Sequence, residues 1–213
     1  MKTLRISIPL IILSITSFAQ PDAEGTHVGG PCEGCEAVFE FGTARLKNTC
    51  TLPDYNQQGP KMEVSGTIFH RDGKTPADGV ILYIYHTDQK GEYPTTGDEQ
   101  GWGRRHGYLR GWIKTDRSGK YAFYTLKPAP YPGREAPAHI HATVKEPLLN
   151  AYWIDEYLFE DDPLLTPKER SLQKQRGGNG IATTTKSNGM LLLKRDIILG
   201  LNIPDYPPGN KKR

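Results

Sequence analysis

Apolar and polar residues alternate along most of this chain instead of recurring with a helical period. The alternation begins at Met62–Phe69, and a β-branched and aromatic run follows at Val80–Tyr85. Because successive strand side chains point to opposite faces, a period of two is typical of strands that bury one face. Further strand-like segments lie at 108–114, 121–126, 139–144, 152–159 and 191–199. Turn residues separate them at short intervals, which predicts a mainly β fold, an antiparallel sandwich or barrel.

One helix is expected within this β pattern. Thr166 suits the N-cap, Pro167 the first helical position and Glu169 the N3 position of a capping box. The pair Gly177-Gly178 provides an end signal. We therefore predict one short helix late in the chain.

The first 19 residues are typical of a secretory signal peptide. A basic start precedes an apolar stretch over 6–18, and Ala19 offers a small residue at the expected cleavage site. The apolar stretch is too short for a membrane span. Residues 20–60 are rich in Gly, Pro, Asn and Gln, which indicates an irregular N-terminal arm. We therefore predict a signal peptide over 1–19, an arm over 20–60, a β domain over 61–213, and a secreted or periplasmic location.

The charge of the chain offers no argument for nucleic acid or an anionic membrane as partner. The sequence has 27 basic and 24 acidic residues, and removal of residues 1–19 takes away two basic ones. A mature chain this close to neutrality lacks the basic excess that such partners attract. We expect neither nucleic acid nor a membrane span, and the sequence is compatible with an oligomer.

Export also decides how the three cysteines are interpreted. Cys32 and Cys35 form a Cys-x-x-Cys motif among glycines, and Cys50 follows. An oxidising compartment favours one disulfide, and three single pairings are open. A zinc site is the alternative, although only Cys50 and His27 are near enough in sequence to complete it. A redox motif would stand at a helix start after a strand, which this segment does not resemble. A disulfide that pins the arm is the preferred interpretation.

The candidate chemistry centres on two histidines one residue apart, His139 and His141. On a strand both imidazoles point the same way, and Ile140 points to the opposite layer. Imidazole suits Zn, Cu, Fe and Ni alike. Tyr93 and Tyr131, each directly before a proline, extend the set on backbone that is biased to extended geometry. A phenol with a pKa near 10 becomes a ligand only when a strongly Lewis-acidic ion removes its proton. These tyrosines therefore favour ferric iron.

At these residues the sequence resembles the intradiol ring-cleavage dioxygenases, the family of the catechol and protocatechuate dioxygenases. The matching segments are 91–93, 114–121, 127–132, 137–141 and 157–163. The resemblance implies a β-sandwich core and one Fe(III) held by Tyr93, Tyr131, His139 and His141, without an organic cofactor. It also implies that Tyr131 leaves the iron when substrate arrives and accepts a catechol proton. The expected reaction is oxidative: O2 cleaves a catechol-type ring between its two hydroxyl-bearing carbons.

One position departs from the family pattern. Relatives commonly carry an arginine three positions before the first ligand histidine, and this chain has Ala136 there. Arg134 is the nearest replacement and our candidate catalytic cation, with Arg104 and Arg105 as the competing source of charge. The departure keeps a second function open: a secreted β-sandwich binding or structural module that retains the scaffold, with or without the metal, but has no turnover.

Two further histidines each have two interpretations. His86 ends the second predicted strand, where it either faces the substrate pocket or caps the strand. His106 follows two arginines in a basic loop. It either rims the substrate entrance or belongs to a solvated loop, and the solvated loop is the preferred interpretation.

Overall fold

The structure is a computed structural model that describes residues 27–133 and 135–208. The predicted signal peptide over 1–19 and Arg134 lie outside these residues. Within them the strands are, in chain order, β1 (Thr49–Thr51), β2 (Lys61–Phe69), β3 (Ile81–His86), β4 (Arg110–Lys114), β5 (Lys120–Leu126), β6 (His139–Lys145), β7 (Tyr152–Phe159), β8 (Ile181–Ala182), β9 (Thr184–Ser187), β10 (Met190–Lys194) and β11 (Ile197–Ile198).

The strands form two sheets. The first has the spatial order β1-β5-β2-β10-β9, and β11 also pairs with β2. The second has the order β4-β3-β6-β7-β8. The mainly β, two-sheet prediction is confirmed, and all seven predicted strands are present. The last predicted strand divides into β10 and β11, and the short strands β1, β8 and β9 had too few alternating apolar residues to be recognised.

The pairing is mostly antiparallel, as expected, but not throughout. The β2–β5, β3–β4, β3–β6, β6–β7 and β9–β10 pairs are antiparallel. The β1–β5, β2–β10, β2–β11 and β7–β8 pairs are parallel. Each parallel pair includes a strand of five residues or fewer that arrives over a long connection, and this geometry leaves no local sequence signal.

The hydrophobic core lies between the two sheets. Val64 and Phe123 come from the first sheet and Ile84, Ile140 and Tyr157 from the second, all with no exposed surface. Because side chains alternate, the neighbours of the second group on β3 and β6 point to the outer face of the second sheet. That outer face carries the candidate site.

The N-terminal arm covers part of this outer face. A 3₁₀ helix, Cys35–Phe39, packs Ala37 and Val38 against Tyr83 of β3. The Trp112 indole donates to the Ala37 carbonyl at 2.9 Å. The predicted single disulfide is confirmed: it joins Cys32 to Cys35 and leaves Cys50 free.

Two short α-helices complete the described structure. The predicted one is α2, Pro167–Leu172, and the Thr166 hydroxyl accepts from the Glu169 amide at 3.2 Å as the capping signal requires. It ends at Leu172, earlier than the glycine pair suggested. The other, α1 (Gly103–His106), was not predicted. No helix within 27–133 or 135–208 is long and apolar enough to cross a membrane.

Candidate metal centre

The two histidines of β6 lie on the outer face of the second sheet. Ile140, between them, is fully buried in the core, and His139 is only 8% exposed. His141 lies opposite Tyr85 of β3. The strand thus directs both imidazoles to one face, as the alternation predicted.

The two tyrosines come from loops that are pinned to each other. Tyr93 follows β3 and Tyr131 follows β5, both outside helices and strands. The Thr87 hydroxyl donates to the Ala129 carbonyl at 2.6 Å. A Cβ at Gly91, which has a φ of +79°, would lie 2.0 Å from the Pro130 carbonyl oxygen. Glycine at this position therefore permits the close approach that brings the two phenols together.

The four side chains converge on one point. The Tyr93 hydroxyl lies 2.7 Å from His141 Nε2 and hydrogen-bonds the Tyr131 hydroxyl. His139 Nε2 lies 3.2 Å from both the Tyr131 hydroxyl and His141 Nε2. The Tyr131 hydroxyl lies 3.4 Å from His141 Nε2. Metal–donor bonds of about 2.0–2.1 Å at right angles would separate neighbouring donors by roughly 2.9 Å. The set therefore fits a single small ion.

Hydrogen bonds fix which nitrogen each histidine offers. His139 Nδ1 lies 2.7 Å from the Pro137 carbonyl oxygen, and His141 Nδ1 lies 2.7 Å from Glu156 Oε1. Because an acceptor faces each Nδ1, the proton resides there and Nε2 presents its lone pair to the cluster. Both imidazoles thus turn Nε2 toward the point where a cation would bind.

Burial sets the protonation of the cluster. It lowers the pKa of His139, which keeps that imidazole neutral. Burial, followed by the hydrogen bond with Tyr131, raises the pKa of Tyr93 well above its usual range. The Tyr93 phenol therefore keeps its proton at neutral pH unless a strong Lewis acid displaces it.

Glu156 was not identified from the sequence. The β6–β7 register shifts between Ile140 and Ala142, so that Asp155 and Glu156 both lie opposite His141. This bulge turns Glu156 toward the histidine. Burial alone would raise the pKa of the Glu156 carboxyl, but the hydrogen bond from His141 and the electrostatic attraction of His141 and His139 together outweigh burial and lower the pKa to about 2. The carboxylate is therefore ionised.

A row of stacked rings supports His141. The Tyr85 ring stacks on His141 with centroids 4.4 Å apart and on His106 with centroids 3.8 Å apart. Trp102 covers the far side of His106 at 5.3 Å. The expectation of a solvated loop at His106 is wrong: α1 folds over the sheet, and His106 is 6% exposed. Its Nδ1 lies 2.8 Å from the Tyr83 hydroxyl, and burial lowers its pKa to about 4.

His86 points away from this cluster, into the interior. Its Nε2 lies 2.7 Å from the Thr125 hydroxyl and its Nδ1 2.7 Å from the Thr87 carbonyl oxygen. It is 1% exposed, and burial lowers its pKa to about 4. The side chain ends β3 inside the protein and borders a separate cavity of about 160 Å³.

A cavity of about 270 Å³ adjoins the candidate centre at His141. Tyr85, His106 and Trp153 give it aromatic walls, and Glu156 contributes its carboxylate. Residues 32–34 of the arm form another side. His106 thus borders the space next to His141.

Three arginines are the candidate sources of positive charge near the centre. Arg134 lies outside the described residues. Arg105 is ion-paired with Glu33, and Arg104 is exposed, with its Nε donating to the Glu99 carbonyl at 3.1 Å. Ala136 is half-buried and carries no charge.

The chain is similar in sequence to known dioxygenases. The sequence model of the family described as Dioxygenase matches residues 36–190. Catechol 1,2-dioxygenase 1 of Acinetobacter lwoffii is 29% identical over 175 residues, which cover 72% of this chain and 53% of that protein. The chain therefore spans about half the length of this curated relative.

Solved structures share the fold. The dioxygenase domain of a dioxygenase–carbohydrate-binding protein fusion from Streptomyces sp. SirexAA-E matches with a TM-score of 0.54 and 22% identity, over 75% of this chain and 94% of that one. Catechol 1,2-dioxygenase from Acinetobacter sp. ADP1 matches with a TM-score of 0.55 and 21% identity, over 73% of this chain and 58% of that one. The match of the family model over residues 36–190, together with the catechol 1,2-dioxygenase of Acinetobacter lwoffii, shows that the chain belongs to the intradiol ring-cleavage dioxygenase family.

Proposed function

We propose that this protein is an Fe(III)-dependent intradiol dioxygenase that acts on a catechol-type aromatic. The observation that carries the proposal is the convergence of four donors, two phenol oxygens and two Nε2 atoms, at separations suited to one ion. Phenolate ligands favour ferric over the common divalent ions, because the metal must displace a proton from a group of high pKa. Bound ferric iron would act as a Lewis acid and template that makes a catecholate ring carbon open to O2.

The proposed reaction balances in its bonds and oxygen atoms. Two bonds break, the O–O bond of O2 and the ring C–C bond between the two hydroxyl-bearing carbons, and two C–O bonds form, so that each new carboxyl group holds one oxygen atom from O2 and one from the catechol. Two protons leave the catechol hydroxyls. Tyr131 is the proposed acceptor of one of them, because the family resemblance implies that its phenol leaves the iron when substrate arrives; its oxygen lies 3.2 Å from His139 Nε2 and 3.4 Å from His141 Nε2.

The cavity beside His141 has room for a small substrate; of the four candidate ligands its lining includes His141 and not Tyr93, Tyr131 or His139. At about 270 Å³ it lies just below the roughly 300–1,000 Å³ typical of sites for drug-sized ligands. Such a volume suits a single aromatic ring. The aromatic side chains of Tyr85 and Trp153 would give that ring apolar contact, and the curated relative is named for catechol.

Metal analysis and oxygen uptake test this proposal together. The iron-reconstituted protein should hold one ferric ion per chain, show a red-brown colour from tyrosinate-to-iron charge transfer, and consume O2 with at least one member of a catechol panel. Stoichiometric zinc, or no metal after reconstitution with iron, would overturn it. Coloured iron protein without oxygen uptake would favour the binding-module alternative.

We also propose that the chain is exported after cleavage behind Ala19. The basic start and apolar stretch of residues 1–19 support this, and the Cys32–Cys35 disulfide suits an oxidising compartment. Intact-mass measurement of protein from its native host should give a chain that begins at Gln20 with one disulfide. A mass that includes Met1 would contradict export by this route.

A further inference from the structure

The two candidate ligand histidines differ in the group that faces the Nδ1 atom of each ring. His139 Nδ1 faces the backbone carbonyl of Pro137, whereas His141 Nδ1 faces the side-chain carboxyl group of Glu156, both at 2.7 Å. A carboxylate partner makes an imidazole a more basic and more firmly oriented donor than a carbonyl does. His141 is therefore set apart from His139 by the charge behind it.

Glu156 reaches His141 only because β7 contains a bulge. Before the bulge, Tyr152 and Ile154 point into the core; after it, Tyr157 and Phe159 do. The inward positions thus change from even to odd numbers. Without the extra residue at 155–156, the period of two would turn Glu156 into the hydrophobic core.

Two buried arginines and one glycine hold this bulge. Arg195 donates to the Asp155 carbonyl at 2.7 Å, and Arg176 donates to the Trp153 carbonyl at 2.8 and 3.0 Å. Both arginines are 4% exposed. A Cβ at Gly180 would lie 2.2 Å from the Glu156 carbonyl oxygen, so only glycine allows the neighbouring segment to pack there. Contacts to three successive parts of β7, the carbonyls of Trp153, Asp155 and Glu156, therefore hold the bulge in place.

We propose that Glu156 is a positioning residue for the metal centre: its carboxylate orients His141 and passes negative charge to that ligand. The inference rests on the proposed function, since it requires a metal at the cluster. Outer partners of this kind typically change metal affinity by about 10–100-fold when removed. Of the two groups that face the histidine Nδ1 atoms, Glu156 is a side chain and can be changed by substitution, whereas the Pro137 carbonyl belongs to the backbone.

Direct coordination by Glu156 is the competing interpretation. Ligand atoms of His139, His141 and Glu156 all lie within 4.8 Å of one another, as in a metal-binding triad. However, Glu156 Oε1 contacts Nδ1, and the Nε2 atom that joins the tyrosine hydroxyls points the other way across the ring. One ion at Nε2 would therefore lie away from this carboxylate oxygen.

Three variants separate these interpretations. Glu156→Gln keeps an oxygen that accepts from His141 Nδ1 but removes the charge, and Glu156→Ala removes both. Glu160→Gln is the matched control, since Glu160 lies just beyond the same strand and is exposed, with an ion pair to Arg170 at 3.0 Å. For each iron-loaded protein we would measure iron loss to a competing chelator, the energy of the charge-transfer band, and the thermal midpoint.

The expected results differ for each variant. Glu156→Ala should lose iron about 10–100-fold faster than wild type. Glu156→Gln should keep its full iron content and lose iron at a rate between those of wild type and Glu156→Ala, with a shifted charge-transfer band. Glu160→Gln should match wild type in all three measurements. If both Glu156 variants match wild type in band and iron loss, the inference is wrong while the proposed function stands. If Glu156→Gln retains no iron although it folds, Glu156 is a ligand and the positioning role is wrong. If wild type itself binds no iron, both proposals fall.

Discussion

Replacement of Tyr85 by leucine should destabilise the protein through loss of stacking. The Tyr85 ring lies between His106, at 3.8 Å and an interplanar angle of 6°, and His141, at 4.4 Å and 18°. Aromatic pairs contribute about 0.5–1.5 kcal/mol beyond the area they bury, so the two faces amount to about 1–3 kcal/mol. Leucine keeps an apolar side chain but stacks on neither ring. We expect Tyr85→Leu to lower the free energy of unfolding by about that amount.

Urea unfolding of the metal-free protein with its disulfide intact would measure this change. The midpoint should fall while the m-value stays constant. Tyr85→Phe is the control: the Tyr85 hydroxyl has no hydrogen bond within residues 27–133 and 135–208, so phenylalanine should stay within about 0.5 kcal/mol of wild type. An unchanged midpoint in Tyr85→Leu would refute the stacking argument. Equal losses in both variants would assign the effect to the hydroxyl.

Three further predictions concern the site and the free thiol. His141→Ala should lose both iron and colour, whereas Tyr131→Phe should keep most of its iron and slow catechol deprotonation; equal iron loss in both would contradict this division of roles. Arg134→Ala should keep iron and colour but lower catechol turnover at least tenfold, because a cation near the substrate stabilises developing negative charge. Normal turnover in Arg134→Ala with loss in Arg105→Ala would transfer that role to the α1 loop. Burial raises the pKa of Cys50 to about 12, so its thiol is almost entirely protonated at pH 8. Iodoacetamide should therefore label Cys50 only after unfolding, and rapid labelling of the native protein would contradict this burial.

Local patterns were sufficient to predict the main strands and the shared direction of the two histidines on β6. Alternation located β2 to β7, and the His139-Ile140-His141 spacing on β6 gave the shared direction of the two imidazoles. Thr166 marked the start of α2 through capping chemistry. Each of these features depends on residues within a few positions of one another, where sequence spacing translates directly into geometry.

The features that escaped prediction depend on contacts between distant segments. Glu156 meets His141 through a bulge in β7, and its only local signal is the change of inward positions from Ile154 to Tyr157. His106 is buried because α1 folds onto Tyr85, a contact that no spacing in the basic loop indicates. The pairing of the cysteines required the path of the arm, since composition left all three pairings open.

Product analysis after reaction under ¹⁸O₂ tests the central claim most directly. The iron-loaded protein, given a catechol that it consumes, should release the ring-opened diacid with both oxygen atoms of one O2 incorporated, and His141→Ala should release none. Mass spectrometry distinguishes this diacid from a ring-opened aldehyde and from an unopened quinone. Detection of either of those as the main product, or consumption of catechol without two ¹⁸O atoms in the diacid, would contradict intradiol cleavage at this centre.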